Sequence, residues 1–209
     1  MPTIPATPSM HQHQSARTRG GFSLIELLVA ISIIAVLIGI LIPTLPRVMD
    51  SARRTTCLAN MHSIWQACTM HLHDNGDRFP QAKYMPDPWL SADPDPSLPD
   101  ALAQYFDGSD SKAWKCPGDS VVYDYEYDVE GITHIGGSSY VYTVALAGKT
   151  IEETFFFRRL QMRPTDIPVL SDYDGGDFET NSGETITVDF FHRERNFIFA
   201  DGRIGDIEQ

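Results

Sequence analysis

Three sets of side chains in this 209-residue sequence have types and spacings that could do chemistry. Glu26 is the one acid in the otherwise uncharged run from Gly20 to Pro46. Cys57, Cys68 and Cys116 offer thiols. Asp172, Asp174, Asp177 and Glu179 crowd around two glycines in SDYDGGDFETNSGE, placing hard oxygen donors on a flexible loop, which suits calcium. Their spacing is not that of an EF-hand, and most Asp/Gly-rich loops are turns. His71, His73 and Asp74 form a second potential ligand set, though a polar helix end explains them more simply. There is no phosphate-binding glycine loop and no local Ser-His-Asp context, so no enzymatic activity is expected.

The element that must position Glu26 is a membrane helix. Residues 1–21 contain Arg17 and Arg19, no acid and little that packs, which describes a solvated leader. From Leu27 to Ile42 every residue is apolar or small except Ser32, and Phe22, Leu24 and Ile25 extend the run to the roughly 20 residues that a spanning helix needs. A secretory signal peptide would end in a small-x-small cleavage site, whereas this run ends in Pro43, Thr44, Leu45 and Pro46. An ordinary anchor gains nothing from an acid that costs about 2 to 3 kcal/mol at mid-bilayer.

Gly21, Phe22, Ser23, Leu24, Ile25, Glu26, Leu27 and Leu28 resemble the class III signal of type IV pilins and type II secretion pseudopilins. The resemblance implies that a membrane-embedded prepilin peptidase cuts after Gly21 and methylates the new amino terminus, Phe22. The α-ammonium so created lies one helical turn from Glu26, and an ion buried in hydrocarbon persists only if it is paired. In the family, the glutamate is thought to meet the amino terminus of a neighbouring subunit, so Glu26 becomes a docking charge that sets axial register. Gly39 and Pro43 fall where filament members often carry helix-weakening residues; an interior proline costs about 3 kcal/mol.

Beyond Pro46 the pattern turns amphipathic. Cys57, Met61, Ile64, Cys68 and Leu72 recur at spacings of four, three, four and four, predicting the second half of one long helix that stops at Gly76. Cys57 and Cys68, eleven residues apart, are separated by about 16 Å on that helix, too far to pair, so Cys116 can join only one of them. RRTTCLANMHSIWQA, HDNGDRFP, WKCPGD and FHRERNFIFADGRI resemble the pseudopilin-like proteins abundant in planctomycetes and related bacteria, with a Cys-x-x-Asn-Leu helix, a Cys-Pro motif and a terminal His-x-Asp-Gly motif. Here eight residues separate His192 from Asp201 where nine are usual, and Met61 replaces a leucine. This resemblance implies a disulfide between Cys57 and Cys116, leaving Cys68 as a buried thiol. Major pseudopilins also carry calcium in the C-terminal head, which adds weight to the acidic loop.

Residues after 76 read as a small head of antiparallel strands. The stretch MPDPWLSADPDPSLPD is loop, and a short helix follows around Ala101 to Phe106. Strands are expected at Ser139 to Leu146, Glu153 to Arg158, Pro168 to Asp172, Glu184 to Phe191 and Asn196 to Ala200. Asp201-Gly202 reads as a two-residue type I′ hairpin turn, making His192 and Asp201 turn-framing residues.

The predicted organisation is a cleaved leader (1–21), a transmembrane helix (22–46), its amphipathic continuation (47–76) and a globular head (77–209): an α+β, pilin-like fold. Removing the two leader arginines leaves 14 basic against 28 acidic side chains, a formal charge of −14 beside −12 for the whole chain. Phosphate contacts dominate nucleic-acid affinity, so no nucleic-acid partner is expected. The expected function is a structural subunit of a pilus or type II secretion pseudopilus in the cytoplasmic (inner) membrane, N-terminus in, with the head in the periplasm or on the cell surface. Its partners would be the prepilin peptidase, other pilin subunits, membrane lipid and an assembly platform. The alternative is a membrane-tethered module that binds calcium, glycan or an envelope protein and never polymerises.

Overall fold

A computed structural model describes residues 23–89, 94–106, 108, 111–173 and 175–206. Gly21, Phe22 and Asp174 lie outside the described residues. The architecture is α+β: one long N-terminal helix and a head of small antiparallel sheets. The chain divides into two compact units, Met1–Leu45 and Pro46–Gln209, and helix α1 (Leu24–Asp74) contributes to both.

In the first unit, α1 begins with one half of a capping box, the Glu26 side chain reaching back to Ser23. The Ser23 carbonyl accepts from the Leu27 amide, and the Ser23 amide donates to Glu26 Oε2 at 2.9 Å. Every large apolar side chain from Leu24 to Leu45 is exposed. A helix that is apolar all round is built for lipid or a deep core. The apolar stretch, with a mean hydropathy of 3.0, is long enough to cross a membrane. Its two hydroxyls are satisfied internally, Ser32 Oγ donating to the Leu28 carbonyl and Thr44 Oγ1 to that of Leu41. The helix continues through Pro43 and Pro46, and Gly39 has open space around its Cα.

In the second unit, α1 buries Cys57, Met61, Ile64 and Cys68 of the expected stripe together with Ala67, while Leu72 is half-buried. Full burial of side chains such as Met61 and Ile64 is worth about 1.5–3 kcal/mol each. The helix closes as foreseen, with Gly76 in the left-handed region (φ 64°) and the Asp77 amide reaching back 2.8 Å to the Leu72 carbonyl.

The stripe shares its core with a four-stranded antiparallel sheet in the order β3 (Tyr140–Tyr142), β4 (Pro168–Asp172), β7 (Phe197–Phe199) and β8 (Ile204–Gly205). Two hairpins stand apart from this sheet, β1 (Glu126–Val129) with β2 (Ile132–Ile135), and β5 (Gly176–Glu179) with β6 (Thr185–Val188). The expected helix around Ala101 to Phe106 is α2 (Leu98–Ala101) followed by a 3-10 turn, Ala103–Tyr105.

Three expectations are corrected. Glu153 to Arg158 is not a strand; it holds the end of a 3-10 turn (Ile151–Glu153) and α3 (Phe155–Arg158). Thr150 caps the first in a capping box with Glu153, and Thr154 caps the second by accepting from the Phe157 amide, so two successive caps override the β preference of three phenylalanines. The strand expected to run from Ser139 to Leu146 ends at Tyr142, where the chain turns into a 3-10 segment (Val144–Leu146). The β7–β8 connection is a three-residue loop, not a two-residue one. The Gly202 amide donates to the Phe199 carbonyl, and only Gly202 of the pair has positive φ (89°), the signature of a type I turn followed by a bulge. A type I′ turn occurs elsewhere, at Glu130-Gly131 between β1 and β2, where φ is 52° and 83°.

Candidate functional site

Around Cys57, residues from four distant segments of the second unit converge. Helix α1 presents three side chains one turn apart. Arg54 Nε donates to Asn196 Oδ1 at 3.0 Å, Cys57 enters the core, and Asn60 Nδ2 donates to the Lys115 carbonyl at 2.8 Å. Asn60 thereby holds the Cys-Pro segment against the helix one residue before Cys116.

The WKCPGD motif is folded around Asp119. Its buried carboxylate accepts from the amides of Val121, Val122 and Tyr123 and, at 2.5 Å, from Ser139 Oγ, while Ser139 Oγ accepts from the Cys116 amide. Gly118 is required by proximity: a Cβ there would sit 2.5 Å from the Phe191 carbonyl oxygen and 3.2 Å from His192 Cε1. The segment carrying His192 is thus seated on the Cys-Pro turn, which places His192 Nε2 at 3.1 Å from Cys116 Sγ.

Asp172, the last residue of β4, supplies the fourth side. Its Oδ2 lies 3.9 Å from Cys57 Sγ and 4.0 Å from His192 Nε2. Asn196 fixes this carboxylate, its amide donating to Oδ1 at 2.9 Å and its Nδ2 to Oδ2 at 2.6 Å. Tyr140 Oη is 3.5 Å from Cys57 Sγ. Cys57 and Cys116 are fully buried, and the side chains of His192 and Asp172 are 4% and 1% exposed. Beside this centre, an open cleft of about 250 Å³ is lined by Arg47, Asp50, Arg54, His192 and Glu194 among others.

The electrostatics follow from this packing. The hydrogen bond from Cys57, opposed by burial and aided by His192, draws the Cys116 thiol down to about 5, while its partner Cys57 is pushed up. Burial lifts the Asp172 carboxyl to about 6 against the bonds from Asn196. Burial opposes protonation of His192, but the adjacent Cys116 sulfur and the Asp172 carboxylate outweigh it and raise the imidazole. Cys68 stands outside this group, and burial alone pushes its thiol to about 12.

The sequence-derived candidates divide accordingly. Cys57 and Cys116 are neighbours, but both are free thiols and the expected disulfide is not formed. His192 is a correction: it frames no turn and instead lies against Cys116. Asp201 does serve its turn, accepting from the Arg203 amide. The described members of the calcium set do not converge. Asp172 faces the thiols, whereas Asp177 is exposed on β5 and accepts from Thr187 Oγ1 across the hairpin. Among the described residues, Cys57, Cys116 and His192 form the one grouping of three potential ligands. Sequence reading missed this centre because its members come from positions 57, 116, 172 and 192. The signal it did contain was the pair of cysteine motifs.

The search of curated proteins and that of solved structures give no match. Residues 16–42 match the family model of the prokaryotic N-terminal methylation motif, a likeness that supports a type IV pilin-like prepilin and covers Gly21, Phe22, Glu26 and the apolar run.

Proposed function

We propose that the protein is a prepilin-like structural subunit of a pilus or type II secretion pseudopilus, cut after Gly21, N-methylated at Phe22 and assembled through α1. The observation that carries this reading is Glu26, an acid inside the methylation motif at the head of a helix whose large apolar side chains from Leu24 to Leu45 are all uncovered. Stacking such helices in lipid gives the carboxylate a partner in a neighbour's Phe22 ammonium, which a single buried anchor lacks. The head then faces away from the cytoplasm, and the partners are the peptidase, other pilin subunits and the assembly platform.

One observation favours a tethered, non-polymerising module. Glu26 Oε2 already accepts from the Ser23 amide, so the acid has a local capping role in a lone chain. Glutamine and valine separate the two readings. Glutamine retains a cap acceptor but no charge, so a pure capping role leaves Glu26→Gln unchanged from wild type. A docking charge makes Glu26→Gln and Glu26→Val fail alike, each processed and inserted yet monomeric, because the neighbour's ammonium meets no counter-charge. Crosslinking in native membranes measures this, and wild-type oligomer yield from both variants defeats the filament subunit.

A further inference from the structure

We propose that Cys57, Cys116, His192 and Asp172 form a closed four-ligand site for a divalent transition-metal ion, zinc(II) by its donor set. The inference concerns the head alone and does not depend on whether the chain polymerises. Two sulfurs, one imidazole nitrogen and one carboxylate oxygen face one another at 3.1 Å (Cys116 to His192), 3.9 Å (Cys57 to Asp172) and 4.0 Å (His192 to Asp172). The ligand atoms of the two cysteines and the histidine all lie within 4.8 Å of one another. In a tetrahedral site with bonds of about 2.0–2.3 Å, neighbouring donors are about 3.3–3.8 Å apart, so small adjustments suffice for the two cysteines and His192, while Asp172, outside their 4.8 Å grouping, must turn inward to become the fourth ligand.

The donor types select the ion. Two thiolates disfavour calcium and magnesium, which take oxygen ligands, while a mixed sulfur and nitrogen tetrahedron suits zinc. A disulfide would use the sulfurs alone and leave His192 and Asp172 to each other, 4.0 Å apart, whereas a cation engages all four groups. The surroundings have the character of outer-shell support. Asn196 orients Asp172 through two hydrogen bonds, and Arg54, itself paired with Glu194 and Asp206, holds Asn196 in place through a bond to its Oδ1. The cleft beside His192 gives an entry path. Binding displaces the thiol protons to solvent, so affinity falls as the medium is acidified. Occupied, the site ties α1, the Cys-Pro turn, the end of β4 and the segment before β7 at one point.

The test uses the full chain in detergent. Elemental analysis should find a single zinc per chain, and exchange into Co(II) should give the visible bands of a tetrahedral ion with thiolate-to-cobalt charge transfer in the near ultraviolet. Cys57→Ser and Cys116→Ser should abolish the charge-transfer band or lose the metal, while Cys68→Ser keeps both. Asn196→Ala should weaken affinity by about 10- to 100-fold, as removal of an outer-shell partner does. Should the ligand variants fail to fold, the cobalt spectrum of the unaltered protein still decides. A Cys57–Cys116 disulfide in non-reducing peptide maps, metal-free protein that takes up no Co(II), or a spectrum without sulfur charge transfer overturns the proposal.

Discussion

Gly202 lies so close to Trp65 that a Cβ built on it would stand 2.5 Å from the indole Nε1 and 3.1 Å from Cε2. The terminal Asp-Gly motif therefore has two physical demands at one residue, a left-handed backbone (φ 89°) and direct contact with the side chain of α1. Gly202→Ala meets both penalties. A non-glycine residue in the left-handed region and a displaced indole together cost about 2–4 kcal/mol. Chemical denaturation of the full chain in detergent should show the midpoint falling accordingly. Asp201→Asn, which retains an acceptor for the Arg203 amide, should change it little; equal losses from both would show that the turn, and not the Trp65 contact, sets the requirement.

Arg78, just past the end of α1, grips the capping glutamate of the 3-10 turn that precedes α3, with Nη1 at 2.6 Å from Glu153 Oε2 and Nη2 at 3.0 Å from Oε1. The hydrogen bonds from Arg78 hold the Glu153 carboxyl below its ordinary 4.5. A carboxyl depressed in the folded state contributes stability that is full above its unfolded pKa and disappears as pH falls through the lower folded value. Arg78→Met should leave stability at neutral pH only slightly changed, as befits a half-exposed pair, and should flatten the acid limb of the stability curve. Melting temperatures recorded from neutrality down through the carboxylate range measure the difference; parallel curves for the two proteins would refute the role given to Arg78.

Mass spectrometry of the membrane-extracted chain should find N-methyl-Phe22 as the first residue. Gly21→Ala should leave the leader attached and so retain Arg17 and Arg19. An intact leader on the unaltered chain, or a cut beyond Ala30, removes the prepilin reading and with it the docking role of Glu26.

The parts of the fold that could be read in the sequence are those set by local periodicity. The buried stripe of α1 and its stop at Gly76 follow from spacing and from glycine chemistry, and β4 and β7 from β-branched and aromatic runs. Aromatic content misled at Phe155 to Phe157, because it reports β preference but not the threonine caps that start a helix there. The β1–β2 hairpin does carry strand alternation in Glu126-Tyr127-Asp128-Val129, but its acids are poor β formers and the strand pair is largely solvated, so it was not among the expected strands. Asp172 was grouped with its sequence neighbours in an acidic loop, yet strand direction turns it into the core. No periodic signal brings it to Cys57, 115 residues away.

β7 lies in the interior of the principal sheet, paired on one side with β4 and on the other with β8, and the residues just before it supply His192 and Asn196 to the buried centre. These residues follow α1, the Cys-Pro turn and β4 in the chain. Until they emerge, the edge of β4 that β7 covers has no partner and the centre around Cys57 lacks His192 and Asn196, so this part of the head closes only after the elements before it have been made. Chains stalled before β7 therefore present an open edge of β4 to whatever chaperones or proteases they meet, which makes the arrival of this strand a checkpoint on the sheet.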